Sequence, residues 1–287
     1  MRILLLTGLA MIAFAANSLL SRLALIDGAA SAQVFTLVRI MSGAVTLSVI
    51  LLCTQGVKGF YQQWSLGIWS GVCLFLYALL FSVAYTSLTT GTGALILFGA
   101  VQFSLLGAHL FRGHRFSSIE WLGILLSFSG FVWLVNPSAV GFSFWPVLSM
   151  LLSGISWAGF TLLGQRANAA LPATTKGFII ASIISLSLIP WLLSPDNLIP
   201  QGLLYGVISG ALTSGVGYVL WYAVVPKMSL LNASLSQLTV PAIALLMGVV
   251  FLNETLTLSG LMSMMLILGG IALTLYKKSA KTNNASS

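Results

Sequence analysis

Along this chain, apolar runs of 17–22 residues alternate with short polar turns. Ten such runs stand out: Ile3–Ser21, Val34–Cys53, Leu66–Tyr85, Gly93–Phe111, Ile119–Val135, Pro146–Leu163, Gly177–Leu193, Gly202–Ala223, Leu230–Phe251 and Leu258–Tyr276. Each is close to the ~20 apolar residues that carry a helix across a bilayer. A membrane β-barrel would show ~10-residue strands of alternating polarity instead. Hydrocarbon offers the backbone no hydrogen-bond partner, so helices that satisfy their own amides are the remaining solution. The pattern predicts an all-α integral membrane protein with ten transmembrane helices.

The pattern also repeats. From Lys227 to Tyr276 the chain reads loop, apolar segment, the turn Leu252-Asn253-Glu254-Thr255, and a second apolar segment. About 140 residues earlier, Ser87–Val135 has the same order around the turn Arg112-Gly113-His114-Arg115. At that offset Leu95 falls on Leu235, Phe111 on Phe251 and Gly130 on Gly270. The third run carries Gly67-Ile-Trp-Ser-Gly71 and the eighth carries Gly206-Val-Ile-Ser-Gly210, a small-residue spacing that lets helix backbones approach closely. A five-helix unit used twice starts its second copy from the opposite membrane face, so the two repeats are inverted, as in many secondary transporters. The expected organisation is a first repeat over residues 1–140, a second over 141–277 and a disordered cytoplasmic tail over 278–287.

Composition agrees: 58% of residues are hydrophobic and only 6% charged, against ~25% charged in soluble domains. The net charge of +8 is a matter of topology. Arg2, Lys58, Arg112, Arg115, Arg166, Lys176, Lys227, Lys277, Lys278 and Lys281 all fall on one side of a ten-helix chain, which places both termini in the cytoplasm. It is not a nucleic-acid patch. Cys53 and Cys73 lack metal-like spacing and are expected as buried free thiols. The first helix lacks a small-x-small cleavage site after it and is expected to be retained.

Most prolines fall in loops or at helix ends, but Pro241 interrupts the ninth run. Proline removes one backbone hydrogen bond and clashes with the carbonyl four residues back. The result is either a packing kink or a hinge that lays a free carbonyl along a cavity. Ala13-Phe14-Ala15-Ala16-Asn17-Ser18, Val38-Arg39, and Pro241 with Glu254 resemble the first-helix, second-helix and fourth-helix patterns of the drug/metabolite transporter superfamily, EamA type. The first copy departs from the last pattern, with Val101 and His114 in place of the proline and glutamate. The resemblance covers nearly the whole chain. It implies a small-molecule carrier with a central cavity between helices one to four and six to nine.

Arg39 is the most informative candidate. It lies about six residues, ~9 Å, into the second helix, where charge is expensive and usually functional. It either lines a cavity, suited to an anionic group on a substrate, or snorkels to the outer interface or pairs with Asp27. Arg22 sits nearer a helix end, where snorkelling is expected. The amides of Asn17, Gln102 and Gln237 must face other helices, as interhelical bonds or as ligand contacts. Ser229, Asn232, Ser236 and Thr239 form a polar stripe leading to Pro241. Tyr77, Trp157 and Tyr218 lie deep enough to form stacking walls, or to serve helix packing, whereas Trp64, Trp145, Trp191 and Trp221 near span ends fit interface belts. The candidate substrate-binding set is therefore Asn17, Arg39, Tyr77, Gln102, Trp157, Tyr218 and Gln237, with Pro241 as hinge.

Only four acids occur, Asp27, Glu120, Asp196 and Glu254, all in loops or at helix ends, which disfavours a buried carboxylate proton relay. No residue set implies a metal or a cofactor. The expected function is a secondary transporter, exporting small organic metabolites such as amino acids by alternating access. Its partners are a small-molecule substrate and the lipid bilayer, with oligomeric state left open. An intramembrane enzyme and a channel or structural membrane subunit are the alternatives. No HExxH occurs, and both histidines sit at one helix end.

Overall fold

The apolar runs fold as helices in the computed structural model, which describes residues 2–61, 65–111, 113, 115–134, 144–164, 166–167, 169–192, 199–224, 227–228 and 236–284. The helices are α1 (Arg2–Leu25), α2 (Ala32–Gln55), α3 (Ser65–Tyr85), α4 (Thr90–Phe111), α5 (Ser118–Leu134), α6 (Phe144–Gly164) and α7 (Ala170–Ser185). They continue with α8 (Pro200–Val224), α9 (Thr239–Leu252) and α10 (Leu258–Asn284). A 3₁₀ turn, Leu186–Leu188, and the short helix Ile189–Leu192 extend α7. No strand occurs among the described residues. Among the described residues, seven helices are long and apolar enough to cross a membrane; α5, α9 and the apolar part of α10, Leu258–Thr274, are shorter.

Local chemistry sets the ends. Ser31 caps α2 by accepting the Val34 amide at 3.3 Å. Ahead of α5, Glu120 accepts the Ser117 amide at 2.7 Å while the Ser117 hydroxyl faces the Glu120 amide at 3.4 Å, a reciprocal capping box. Pro200 opens α8 at its first turn, where a missing amide costs nothing. Asn253 closes α9 in the left-handed region at φ 52°, its amide bonded to the Gly248 carbonyl. That turn aims Glu254 back at the bundle.

Helices adjacent in sequence are not the main partners. α1 lies against α8 and α9, α2 against α7 and α8, α3 against α6 and α7, α4 against α6 and α9, and α5 against α10. Glycines permit the closest approaches. A Cβ on Gly71 would meet Ile180 and Ala181 of α7, and one on Gly210 would strike Ser42 and the Arg39 carbonyl of α2. Both members of the repeated glycine pattern thus serve one purpose, each against the other half of the chain. α5 and α10 run antiparallel, with Gly123 facing Gly270 and Thr274 and Gly130 facing Leu266 and Ile267. So do α2 and α7: Gly43 faces Phe178, and Ser182 donates to the Ile40 carbonyl at 3.4 Å.

The interior is filled by residues such as Phe35, Leu47, Leu74, Phe81, Tyr85 and Met150, while Leu4, Trp69, Leu125 and Val250 face outward, as a lipid-facing surface requires. Several expectations change. Cys53 is exposed and Cys73 half-buried, although both are free. α7 starts at Ala170, taking Pro172 into its first turn, so Lys176 is buried in a helix and not in a loop. Trp221 is buried against Phe14, not in an interface belt. α10 continues as helix to Asn284, into the stretch expected as a disordered tail. Of the expected ninth run, residues 230–235 lie outside the described residues, as do Ser229 and Asn232 of the polar stripe.

A candidate substrate cavity

Near mid-bundle a cavity opens between helices drawn from both ends of the chain. α1 contributes Phe14, Asn17 and Ser18; α2, Arg39; α3, Tyr77 and Phe81; and α4, Leu97 and Phe98. From the later helices come Trp157 of α6, Thr213, Ser214 and Tyr218 of α8, and Gln237 just ahead of α9. Its free volume is about 40 Å³, room for about three waters.

Arg39 is the charge at its centre. The residue is 3% exposed, so it neither snorkels nor reaches Asp27. Its Nη2 donates to the Tyr77 hydroxyl at 2.9 Å, and the guanidinium lies 5.2 Å from the Tyr77 ring and 5.0 Å from the Phe81 ring. A hydrogen bond to a charged group contributes ~1.5–3 kcal/mol and a desolvated cation–π contact up to ~2 kcal/mol. Those contacts hold the group in place, yet no carboxylate pairs with it among the described residues, and Nη1 has no partner. A buried cation that lines a cavity and lacks an acid partner is an anion-accepting arrangement.

Asn17 organises the polar side. Its Nδ2 reaches the Tyr77 hydroxyl at 3.5 Å, and its Oδ1 accepts from the Ser209 hydroxyl at 2.6 Å with the Thr213 hydroxyl 3.3 Å away. Ser209 and Thr213 belong to a π-helical stretch of α8, Ser209–Val216. Such wide turns concentrate at functional sites because they re-aim side chains within a helix. Here the stretch begins where Gly210 lies against the Arg39 carbonyl, so one close contact registers α8 on both Arg39 and Asn17.

The remaining walls are aromatic. Trp157 lies 4.7 Å from Tyr77 and 5.5 Å from Tyr218 in a stacked arrangement. Tyr218 stacks in turn on Tyr222 at 6.3 Å, and Tyr77 leads through Phe81 to Tyr85 at 5.4 and 4.7 Å. An aromatic file thus runs from α8 through α6 to the end of α3.

Asn17, Arg39, Tyr77, Trp157, Tyr218 and Gln237 all line this cavity. Gln102 does not: it is buried one turn beyond Phe98 on α4. Pro241 falls in the first turn of α9, three residues after the turn at Leu238, and has no amide to offer the Gln237 carbonyl. Sequence reading missed Ser209, Thr213, Ser214 and the apolar liners. Small hydroxyls are common in membrane helices, and only the π stretch singles these out.

The two ends of the bundle differ. Beyond the cavity, about five residues (~7.5 Å) along α1, Arg22 is buried and not snorkelling. Its Nη1 donates to the Tyr85 carbonyl at 2.9 Å, and its Nε lies 3.7 Å from Glu254 Oε1. The Glu254 carboxylate accepts the Thr90 amide at 2.8 and 2.9 Å and the Thr90 hydroxyl at 3.0 Å, covering the N-terminus of α4. A residue from the α9–α10 turn therefore ties down α1, α3 and α4. At the opposite end lies a space of about 330 Å³ bordered by Leu47, Leu171, Thr174 and Tyr222, and separated from the cavity by Tyr218.

Residues 144–276 match the model of the EamA-like transporter family. The chain is 42% identical to an uncharacterized protein of Pseudomonas aeruginosa over 275 residues, 96% of this chain and 94% of that one. It is 27% identical to an uncharacterized transporter of Bacillus subtilis, covering 92% and 91% of the two chains, and 24% identical to one of Archaeoglobus fulgidus, covering 80% and 84%. A solved crystal structure of 19% identity shares the fold over 95% of this chain and 96% of its own, with a TM-score of 0.67.

Proposed function

The chain belongs to the EamA-like transporter family, and from that premise we propose that it is a secondary carrier of small organic metabolites. The cavity is its substrate site, with Asn17, Arg39, Tyr77, Trp157, Tyr218 and Gln237 as contacts, and its direction in the cell is export across the bacterial inner membrane with both termini cytoplasmic. The observation that carries this is Arg39, a buried guanidinium that lines a cavity at mid-bundle and has no acid partner among the described residues.

The mechanism is alternating access between two inverted five-helix halves. The packing pattern supports it: exchanging every helix for the one five places away leaves the partner pairs unchanged, so that α3–α6 becomes α8–α1 and α3–α7 becomes α8–α2. Helices that pair with their own counterpart, α2–α7 and α5–α10, run antiparallel, as a twofold axis in the membrane plane requires. In this conformation the Arg22–Glu254 end is held shut, and the larger space lies at the other end, the cytoplasmic one in this orientation. Pro241 is the proposed hinge, because the bond it lacks is the one that would make the Gln237 turn rigid.

Solute counterflow tests the reading. Purified protein in liposomes preloaded with a panel of organic acids, amino acids and amines is expected to accumulate labelled solute transiently against its gradient, which only a carrier does. Conductive flux without counterflow would establish the channel reading instead.

A further inference from the structure

We propose that the cargo is an aromatic monocarboxylate: a planar ring bearing one carboxylate, which the Arg39 guanidinium binds while the ring packs among the aromatic side chains that line the cavity. This rests on the carrier reading and narrows it to a substrate class.

Charge is the first argument. Among the described residues that line the cavity, Arg39 is the one cation or anion; the rest are amides, hydroxyls, phenols and apolar groups. The site therefore carries a single uncompensated positive charge in a medium that screens it poorly. A monoanion neutralises it. An organic cation would double it, and a dianion such as a phosphate ester would bring a second charge with no partner. An α-amino acid is a harder case. Its carboxylate at Arg39 would hold the ammonium on the adjacent carbon close to the same guanidinium, with no acid in the lining to offset it.

Shape is the second argument. The Tyr77 hydroxyl holds Nη2 and the Phe81 ring covers one face of the guanidinium, while Nη1 has no partner but is itself covered, so a ligand oxygen meets it only as the packing around the cavity loosens. The lining is rich in aromatic side chains, Phe14, Phe81, Trp157 and Tyr218, and the last two already stack on one another 28° from parallel, so a flat ring is the shape that replaces a partner in such a stack. The free volume of about 40 Å³ takes a carboxylate but not the ring behind it. Tyr218 lines both this cavity and the 330 Å³ space beyond, so in the proposed bound state it moves aside, the two spaces join, and the ring takes its place against Trp157.

The test uses three probes that differ only in charge: phenylacetate, phenylalanine and phenethylamine. Binding to the purified wild-type protein is read as the shift in melting temperature and as quenching of tryptophan fluorescence. Phenylacetate is expected to bind at least about tenfold more tightly than phenethylamine, with phenylalanine no better than phenylacetate. Cyclohexylacetate, of similar size but not flat, is expected to be weaker than phenylacetate. Arg39→Gln should remove phenylacetate binding and leave phenethylamine binding no weaker. Phenethylamine binding as well as phenylacetate, phenylalanine binding better than both, or no binding by any probe overturns the proposal. These comparisons need only the wild-type protein, so a poorly folding variant does not blunt them. Counterflow separates the two readings. If phenethylamine exchanges and phenylacetate does not, the carrier stands and the anion assignment falls. If phenylacetate binds through Arg39 but never exchanges, the site stands and the carrier falls.

Discussion

Two arginines enter the same bundle and meet opposite fates. Arg22 ends against a carboxylate and a backbone carbonyl, in a cluster where Glu254 also binds Thr90 through its amide and hydroxyl. Arg39 ends against one phenol and two ring faces, with an open donor and no acid. Both were priced by the same physics, since a guanidinium away from water must be compensated. Each keeps one nitrogen without a hydrogen bond, Nε of Arg22 and Nη1 of Arg39, but only Arg22 has a carboxylate beside it. Where an acid supplies the opposite charge the group cross-links helices, and where none does the deficit is available to a ligand. Position along the helix did not distinguish these roles; the partners did.

Exchanging function for stability at the two sites gives the sharpest contrast. Arg39→Gln is expected to lower transport at least about 30-fold, the size of a lost charge-assisted contact of ~2–5 kcal/mol. Its melting temperature should hold or rise, because a buried unpaired charge is removed; a large drop in melting temperature would make Arg39 a structural residue like Arg22. The mirror experiment is Arg22→Gln, expected to destabilise by ~1–3 kcal/mol and shift melting by a few degrees. Glu254→Gln should cost a similar amount, and the double variant less than the sum of the two. Additive losses would show that the 3.7 Å pair carries no coupling of its own. The smallest effect is expected for Tyr77→Phe, which keeps both ring faces around Arg39 and removes only the 2.9 Å hydroxyl contact. The half-saturation concentration for substrate should change by about tenfold or less with melting unchanged, and a complete loss of transport would show that the Tyr77 hydroxyl, and not its ring alone, is required at the site.

The sequence by itself determined the class of fold. Runs of apolar residues near bilayer length, a charged fraction of 6% and a repeated order of segment and turn leave few alternatives, because lipid forces the backbone to satisfy itself locally. Local rules also located most cavity residues, since a buried polar or charged group within a span has few reasons to exist. Tertiary structure decided the rest, for reasons that pattern cannot carry. Gln102 and Gln237 look alike in sequence, but Gln102 sits one turn past Phe98 along its helix and misses the cavity that Gln237 lines. Arg22 became a cross-link because a turn 232 residues away, closed by the left-handed Asn253, aimed Glu254 at it. The π stretch of α8 brought Ser209 and Thr213 onto Asn17 where Gly210 meets α2. Burial is a property of composition, whereas a partner is a property of two distant segments meeting, and only the folded chain contains that.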